Sequence, residues 1–308
     1  MREILMIDSR CVSVVIPAQN EAGTIRQVVS DLLSHHSFLS EVIVVDDGSQ
    51  DETASLAKAA GARVIHHPVS RGYGAALKSG ILAATGEFVL TLDGDGQHPT
   101  SAIEQFFTVA DTHDLVAGHR THWLHSTFWR LPGKWLLKRL SSYLVKRRIP
   151  DLNCGLRMYR RSVILRYLPL CAEGYSFTAT SLVLLMAWGY QVRFVPVEVT
   201  SASSQGRVTV RTGLDTLMLL LRIATLIDPL RVFLPISALT CVAGIVWGIP
   251  YALAGRGISV GALLLFLTSL LLFSVGLISD QIAQLRKEQL EQRFPQSAID
   301  NPQSKMFP

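Results

Sequence analysis

Two apolar stretches, Val232–Leu253 and Ile258–Ser279, contain no Asp, Glu, Lys or Arg. At ~1.5 Å of rise per residue, each is long enough as a helix to cross the ~30 Å hydrocarbon core of a bilayer. Two such runs in tandem are rare in water-soluble folds, so the pattern predicts a pair of membrane-crossing helices over 231–280. Only Ala254–Gly257 separates them, which predicts a tight hairpin with Arg256 on the far side. Arg222 and Arg231 precede the hairpin, and Arg286, Lys287 and Arg293 follow it. By the positive-inside rule both flanks then face the cytoplasm, including the polar tail over 281–308. The expectation is a multi-pass protein of the cell (inner) membrane.

The hairpin leaves residues 1–211 for a folded domain, enough for one α/β unit with a sizeable core. Met1 to Cys11 carries Arg2, Glu3, Asp8 and Arg10, and the first apolar run, Val12–Ile16, is too short for a secretory h-region. This domain is expected to stay in the cytoplasm. Cys11, Cys154, Cys171 and Cys241 are far apart, which suggests neither a disulfide framework nor a zinc spacing. The segment 212–230 is apolar, with Asp215 and Arg222 on one side of a helix, as in an interfacial amphipathic helix or one packed on the soluble domain.

Charge is concentrated in one place. Arg120, Arg130, Lys134, Lys138, Arg139, Lys146, Arg147 and Arg148 fall in a stretch without Asp or Glu, interleaved with Trp123, Phe128, Trp129, Trp135 and Tyr143. The chain holds 29 basic and 24 acidic side chains, so without those eight it would be acidic. Beside two membrane helices, such a segment fits headgroups and a lipid phosphate, with Arg130 and Lys134 as candidate contacts, better than nucleic acid. His119, His122 and His125 have helical spacing but no carboxylate nearby to support a zinc site.

Val12–Ile16, Glu41–Val45, Arg63–His66 and Phe88–Leu92 read as strands, and Ala22–Ser34, Asp51–Ala60 and Gly74–Ala84 as helices between them, with Gly61 and Gly86 as C-terminal caps. This is the alternation of a parallel sheet covered by helices. A helix near Ser101–Val109, a strand near Leu115–Gly118, a helix near Thr178–Trp188 and a strand over Gln191–Val199 follow.

Chemistry concentrates at the strand ends, where open α/β sheets bind ligands. After Phe88–Leu92 comes Asp93-Gly94-Asp95-Gly96-Gln97-His98-Pro99. Two carboxylates at i and i+2 on such a turn can face one hard divalent cation whose octahedron diphosphate oxygens and water complete. Asp93 and Asp95 are therefore candidate ligands and Gln97 a third; the alternative is an ordinary Asp/Gly turn. Asp46 and Asp47, in Asp46-Asp47-Gly48-Ser49, are candidates for a base N–H or ribose hydroxyls, with Ser49 or Asp51 as a helix cap. Pro17-Ala18-Gln19-Asn20-Glu21 has no glycine where a dinucleotide fold would put one, which argues against hydride transfer. Gly72-Tyr73-Gly74 is a weak dinucleotide likeness that close packing explains, although Arg71 and Lys78 nearby suit a diphosphate.

Taken together and in order, these motifs resemble glycosyltransferase family 2, and within it the dolichyl- and polyprenyl-phosphate hexose synthases. Ala117-Gly118-His119-Arg120 is similar to that family's strand ending in Gly-x-Arg. Asp151-Leu152-Asn153-Cys154-Gly155-Leu156-Arg157 is similar to its Asp-x-x-Ser-Gly-x-Arg element, with cysteine for serine. The resemblance covers roughly 12–210, and the hairpin is similar to the two-helix anchors of bacterial members. It implies a GT-A (nucleotide-diphospho-sugar transferase) fold, α/β with a mixed, mainly parallel sheet and flanking helices. It also implies inverting transfer of a hexose from a donor of the GDP-mannose or UDP-glucose class to a polyprenyl or dolichyl phosphate, with Mg²⁺ or Mn²⁺ as cofactor and a homo-oligomer as a further partner to consider.

On that resemblance Pro17, Ala18, Glu21, Asp46, Asp47, Lys78, Asp93, Gly94 and Asp95 would bind the donor. Asp93, Asp95 and Gln97 would hold the metal. Arg120 and Arg157 would pair with phosphates, and Asp151 would position the sugar or take a residual proton. Two departures stand out. Gly206-Arg207-Val208-Thr209 occupies the place of a basic element ending in Gly-x-Ser-Lys, so Arg207 or Arg211 would have to substitute for the lysine. Thr180 stands where an acidic residue is common. They support an alternative, a catalytically silent scaffold or flippase partner that keeps the fold.

Overall fold

The computed structural model describes residues 12–35, 39–96, 101–121, 139–174, 176–198 and 210–293. The chain divides into two compact units, Met1–Gly213 and Leu214–Pro308.

The first unit is built on a seven-stranded sheet: β1 Val12–Ala18, β2 Leu39–Asp46, β3 Arg63–His66, β4 Phe88–Thr91, β5 Leu115–Arg120, β6 Arg157–Arg160 and β7 Val192–Val197. Its order is β3-β2-β1-β4-β6-β5-β7. All neighbours are parallel except β6, which runs antiparallel to both β4 and β5. The sheet is therefore mixed and mainly parallel. β1 and β4 are buried along their whole length, as expected of central strands covered on both faces.

Around it lie α1 Ile25–His35, α2 Thr53–Ala59, α3 Tyr73–Ala83, α4 Ser101–Ala110, α5 Arg161–Tyr167 and α6 Phe177–Ala187. α2 ends as its sequence predicts. Gly61, at φ 102°, donates to the Lys58 carbonyl while Ala62 donates to Ala57, closing the last turn on a left-handed residue. Gly86 does not cap α3. That helix ends at Ala83 and leaves through an extended Ala84, and the Gly86 N–H donates instead to Ser13 Oγ at 2.9 Å. β6 and α5 are absent from the sequence reading, because β6 has charged Arg157 and Arg160 at both ends in place of an apolar run and α5 follows it directly, with no turn residue to mark the boundary.

The topology decides where a site can form. From β1 the sheet grows through β2 and β3 in one direction and through β4 in the other, so the order reverses between β1 and β4. The crevice at such a switch point, beyond the carboxyl ends of the strands, is where open α/β sheets take ligands.

The second unit holds most of α7, Val210–Ile227, then α8, Pro229–Leu253, and α9, Val260–Arg293. Asp228 caps α8 by accepting from the Arg231 N–H, with Pro229 at the first helical position. α8 and α9 are long and apolar enough to cross a membrane: each contains an 18-residue stretch, of mean hydropathy 2.1 and 2.4 respectively, that is largely unburied. Small residues bring them close. Ser269 Oγ donates to the Ser237 carbonyl at 2.8 Å, and a Cβ added at Gly244 would sit 3.2 Å from Leu265.

Candidate active site

The ends of β1 and β2 are joined by side-chain bonds to main-chain N–H groups. Asn20 N–H donates to Ser49 Oγ at 2.9 Å, Gln50 N–H to Asn20 Oδ1 at 2.9 Å, Glu21 N–H to Thr53 Oγ1 at 2.8 Å, and Ala22 N–H to Asp51 Oδ2 at 3.2 Å. The N-cap residue of α2 is Glu52, which makes no side-chain capping bond, so neither Ser49 nor Asp51 is the cap; Asp51, one residue earlier, accepts from the Thr53 N–H at the helix start. Asn20 holds a left-handed φ of 56°, which an asparagine tolerates. The rim over Pro17 and Ala18, both buried, is thus fixed before any ligand arrives.

Asp46 and Asp47, adjacent and buried, serve different partners. Asp46 lies 2.7 Å from His66 Nδ1 and accepts from the Ser49 N–H. Asp47 gathers the loop before α3. It accepts from Ser70 Oγ and from the Arg71 and Gly72 N–H groups at 2.8–2.9 Å, and pairs with His67 Nδ1 at 2.7 Å. Burial would raise its pKa, but these hydrogen bonds outweigh it and hold the carboxyl below its ordinary 3.8.

Beyond β4, Asp93 accepts from Tyr73 Oη at 2.8 Å. A Cβ added at Gly155 would lie 2.5 Å from Asp93 Oδ1, so glycine there lets the main chain approach the carboxylate. The Gly94 carbonyl accepts from Thr24 Oγ1 at 2.8 Å, tying the turn to the start of α1. Glu21 faces the same crevice. Burial raises its pKa, and Asp95, Asp51 and Asp93 raise it further, against a partly offsetting hydrogen bond from Thr24. Among the described residues no three His, Cys, Asp or Glu side chains converge into a cage. A cation here would therefore take ligands from the bound molecule as well, and the excess of carboxylates fits one.

Arg120 and Asp151 form a two-pronged ion pair, Nε to Oδ2 at 2.8 Å and Nη2 to Oδ1 at 3.1 Å. The Asn153 N–H donates to Asp151 as well. Burial would push the Asp151 pKa up, but Arg120 outweighs it and the carboxyl titrates below 3.8. Asp151 is therefore a weak base.

The expected phosphate pairing of Arg157 is not what the fold makes of this residue. Arg157 is fully buried and donates to the carbonyls of Leu152, Cys154 and Thr178. Its direction follows from β6, whose antiparallel course aims the side chain at α6. Lys78 lies 3.7 Å from Glu173. Cys154 is buried and its thiol is pushed up to about 11, by burial first and by Asp151 second, so it packs rather than reacts. Thr180 Oγ1 donates to the Ser176 carbonyl and accepts from the Ala172 N–H, anchoring the segment that lies against α3.

Gln97, Arg130, Lys134 and Arg207 lie outside the described residues, as does most of the basic aromatic segment; of Arg211 only the helical backbone is described. The motifs did not single out Tyr73 for its hydroxyl, or His67 at all. Tyr73 was visible only as the residue between two glycines that signalled close packing.

Residues 13–168, half of the chain, match the family profile described as glycosyl transferase family 2. The chain belongs to this family. Residues 228–285 further match the GtrB C-terminal hairpin. Among its relatives in family 2, a dolichyl-phosphate hexose transferase of Haloferax volcanii is 31% identical over 188 residues, 60% of this chain and 81% of that one. An undecaprenyl-phosphate 4-deoxy-4-formamido-L-arabinose transferase of Enterobacter sp. is 32% identical over 162 residues, 50% of each chain. The chain spans about half the length of the formamido-arabinose transferases it matches, 50% and 55% for the Enterobacter and Shewanella sediminis proteins. In fold, the glucosyl-3-phosphoglycerate synthase of Mycobacterium tuberculosis, solved with Mn²⁺, UDP and phosphoglyceric acid, superposes with a TM-score of 0.57 at 22% identity, over 70% of this chain and 78% of that one. The first unit thus has a GT-A-like fold, and the hairpin is of the kind that anchors family members.

Proposed function

We propose that this family 2 member transfers a hexose, with inversion, from a nucleoside-diphosphate sugar of the GDP-mannose or UDP-glucose class to a polyprenyl or dolichyl phosphate at the cytoplasmic membrane face. The observation that carries the reading is the acidic crevice at the β1/β4 switch point, where Glu21, Asp51, Asp93 and Asp95 lie close enough to raise the Glu21 pKa. Such a site calls for a cation, and a diphosphate with its divalent metal supplies one. The named activities of the Haloferax and Enterobacter relatives support the acceptor class, and the M. tuberculosis synthase supports Mn²⁺ or Mg²⁺.

In this reading Pro17, Ala18, Glu21 and Asp46 border the nucleoside, and Asp47 shapes the loop carrying Arg71. Asp93 and Asp95, with Gln97, would hold the metal, and Gly94 would let the donor come close. When bound, a divalent cation there would neutralise charge on the diphosphate and so assist its departure. An acceptor phosphate is largely dianionic at pH 7, its second pKa lying near ~6. Its oxygen attacks the anomeric carbon as the bond to the diphosphate breaks, and the nucleoside diphosphate leaves. No strong base is required, which agrees with the low pKa of Asp151. That residue instead orients Arg120 toward the phosphates. Arg130, Lys134, Arg207 and Arg211 would be the contacts of the acceptor phosphate, and the hairpin would anchor the chain in the membrane that holds the lipid. The silent-scaffold reading gains nothing from Thr180, whose hydroxyl has a packing task.

The test is transfer of radiolabel from a panel of UDP-, GDP- and CDP-sugars into an organic-extractable polyprenyl-phosphate product, with full-length protein in detergent. Transfer from one donor, abolished by EDTA and lowered at least ~100-fold in Asp95→Asn, is expected. Label in no lipid product from any donor would overturn the transferase reading. Undiminished transfer in EDTA would overturn the metal.

A further inference from the structure

The strand-end motifs account for the carboxylates of the crevice but not for what holds them in place. We propose that Tyr73 is a positioning residue that fixes the Asp93 carboxylate for cation binding, and that Asp47 sets Tyr73 in turn; this rests on reading Asp93 as a metal ligand.

An aspartate on a turn followed by Gly94 has two side-chain torsions to settle, and a cation site needs its oxygens aimed before the ion arrives. Two walls confine this one. The main chain at Gly155 closes one side, where even a methyl group would overlap the carboxylate. On the other, Tyr73 Oη donates to Oδ1 at 2.8 Å. A single hydrogen bond orients a carboxylate only as well as its own donor is held, and Tyr73 is held on both sides along the chain. Before it, the Arg71 and Gly72 N–H groups end on the two oxygens of Asp47 at 2.9 and 2.8 Å. After it, the Ala75 N–H donates to the Glu173 carbonyl at 2.8 Å, and Gly74 lies so tightly on Ala172 and Glu173 that a Cβ would overlap their main chain. Tyr73 is the first residue of α3, so its phenol extends from a helix end clamped by two segments distant in sequence. Asp47 is buried at the end of β2, and pairing with His67, itself bonded to Ser79 Oγ at 2.9 Å, keeps it in register with α3. The path from Asp47 through Gly72 and Tyr73 to Asp93 thus links the second strand end to the fourth through rigid groups.

Removing the Tyr73 hydroxyl alone should weaken the cation site without dismantling the fold. With full-length protein in detergent and a saturating nucleoside diphosphate, free Mn²⁺ is followed by its EPR signal. Tyr73→Phe is expected to raise the Mn²⁺ dissociation constant ~10–100-fold, the range for loss of a group supporting a metal ligand. Asp47→Asn, which disturbs the anchor and leaves the phenol intact, is expected to shift it in the same direction. In transfer assays the Tyr73→Phe loss should be largely recovered at saturating Mn²⁺. Unchanged Mn²⁺ affinity in Tyr73→Phe, or a lowered kcat that excess Mn²⁺ does not restore, would assign the tyrosine a merely structural role and overturn the proposal. Wild-type protein that binds no Mn²⁺ with any nucleoside diphosphate would instead refute the metal reading itself, and the positioning role with it. The two failures are distinguishable because only the second is seen without a variant.

Discussion

Arg157 satisfies the main-chain carbonyls of Leu152 and Cys154, in the loop just before β6, and of Thr178, on α6, and so ties that loop to a helix distant in sequence. A guanidinium does this because its five N–H donors fan out in a plane, whereas a lysine ammonium at the end of a flexible stem cannot reach all three. Each buried acceptor left without a donor costs about 1–3 kcal/mol. Arg157→Lys is therefore expected to lose about 3 kcal/mol, or about 6–12 °C in apparent Tm, measured with no donor or metal present. A phosphate-binding arginine would behave in the opposite way, leaving the ligand-free Tm unchanged and weakening donor binding, so a thermal scan of the empty protein separates the two. The sequence shows that an arginine follows Cys154-Gly155-Leu156, but not that β6 runs antiparallel between β4 and β5. That pairing is a long-range choice, and it turns the side chain inward. By contrast, the positions of Asp93, Asp95 and Glu21 were legible because they depend only on leaving the ends of β4 and β1, and those strands are apolar runs with clear boundaries.

The helices show the same division between local and distant causes. α1 to α4 were readable from spacing, whereas Gly80 of α3 is explained only by what lies beneath it. Glycine inside a helix costs about 1 kcal/mol relative to alanine, so propensity alone favours Gly80→Ala. A Cβ at that position, however, would overlap Val15 of β1 and come within 3.1 Å of Val45 of β2. Both valines are fully buried in the central strands and have no room to retreat. Overpacking of this kind costs typically ~1–3 kcal/mol, enough to cancel the propensity gain and more. Gly80→Ala should accordingly lower the apparent Tm by a few degrees. Gly174→Ala, where an added Cβ meets nothing within 4 Å, should leave it nearly unchanged. A higher Tm for Gly80→Ala would mean that α3 sits farther from the sheet than its contacts indicate. Because α3 begins at Tyr73, a displaced α3 should also weaken Mn²⁺ binding.

For the whole molecule, the decisive question is the side of the membrane on which the crevice lies. α8, 25 residues long, spans about 37 Å as a helix, more than the ~30 Å hydrocarbon core, and α9 is longer still. The hairpin can therefore cross and return, putting residues 254–259 on one side and both the preceding unit and the end of α9 on the other. By the positive-inside rule, Arg231 before the hairpin and Arg286 and Lys287 after it would put the second group in the cytoplasm, as the proposed function requires. A nucleoside-diphosphate sugar carries charges that do not pass through hydrocarbon, so under the proposed function the acidic crevice would face the compartment that supplies the donor. Cys154 and Cys171 are buried, so replacing Cys11 and Cys241 by alanine gives a background suited to a labelling test. In intact cells a membrane-impermeant maleimide is expected to label Ala254→Cys and to spare Gln289→Cys, which should react only after the cells are opened. Labelling of Gln289→Cys from outside would reverse the orientation and place the crevice away from its donor. Labelling of neither position before opening, and both after, would mean that the helices lie along one face without crossing. Either result would remove the cytoplasmic assignment, while the Tyr73 to Asp93 contact, which belongs to the first unit alone, would still stand or fall on its own metal-binding measurement.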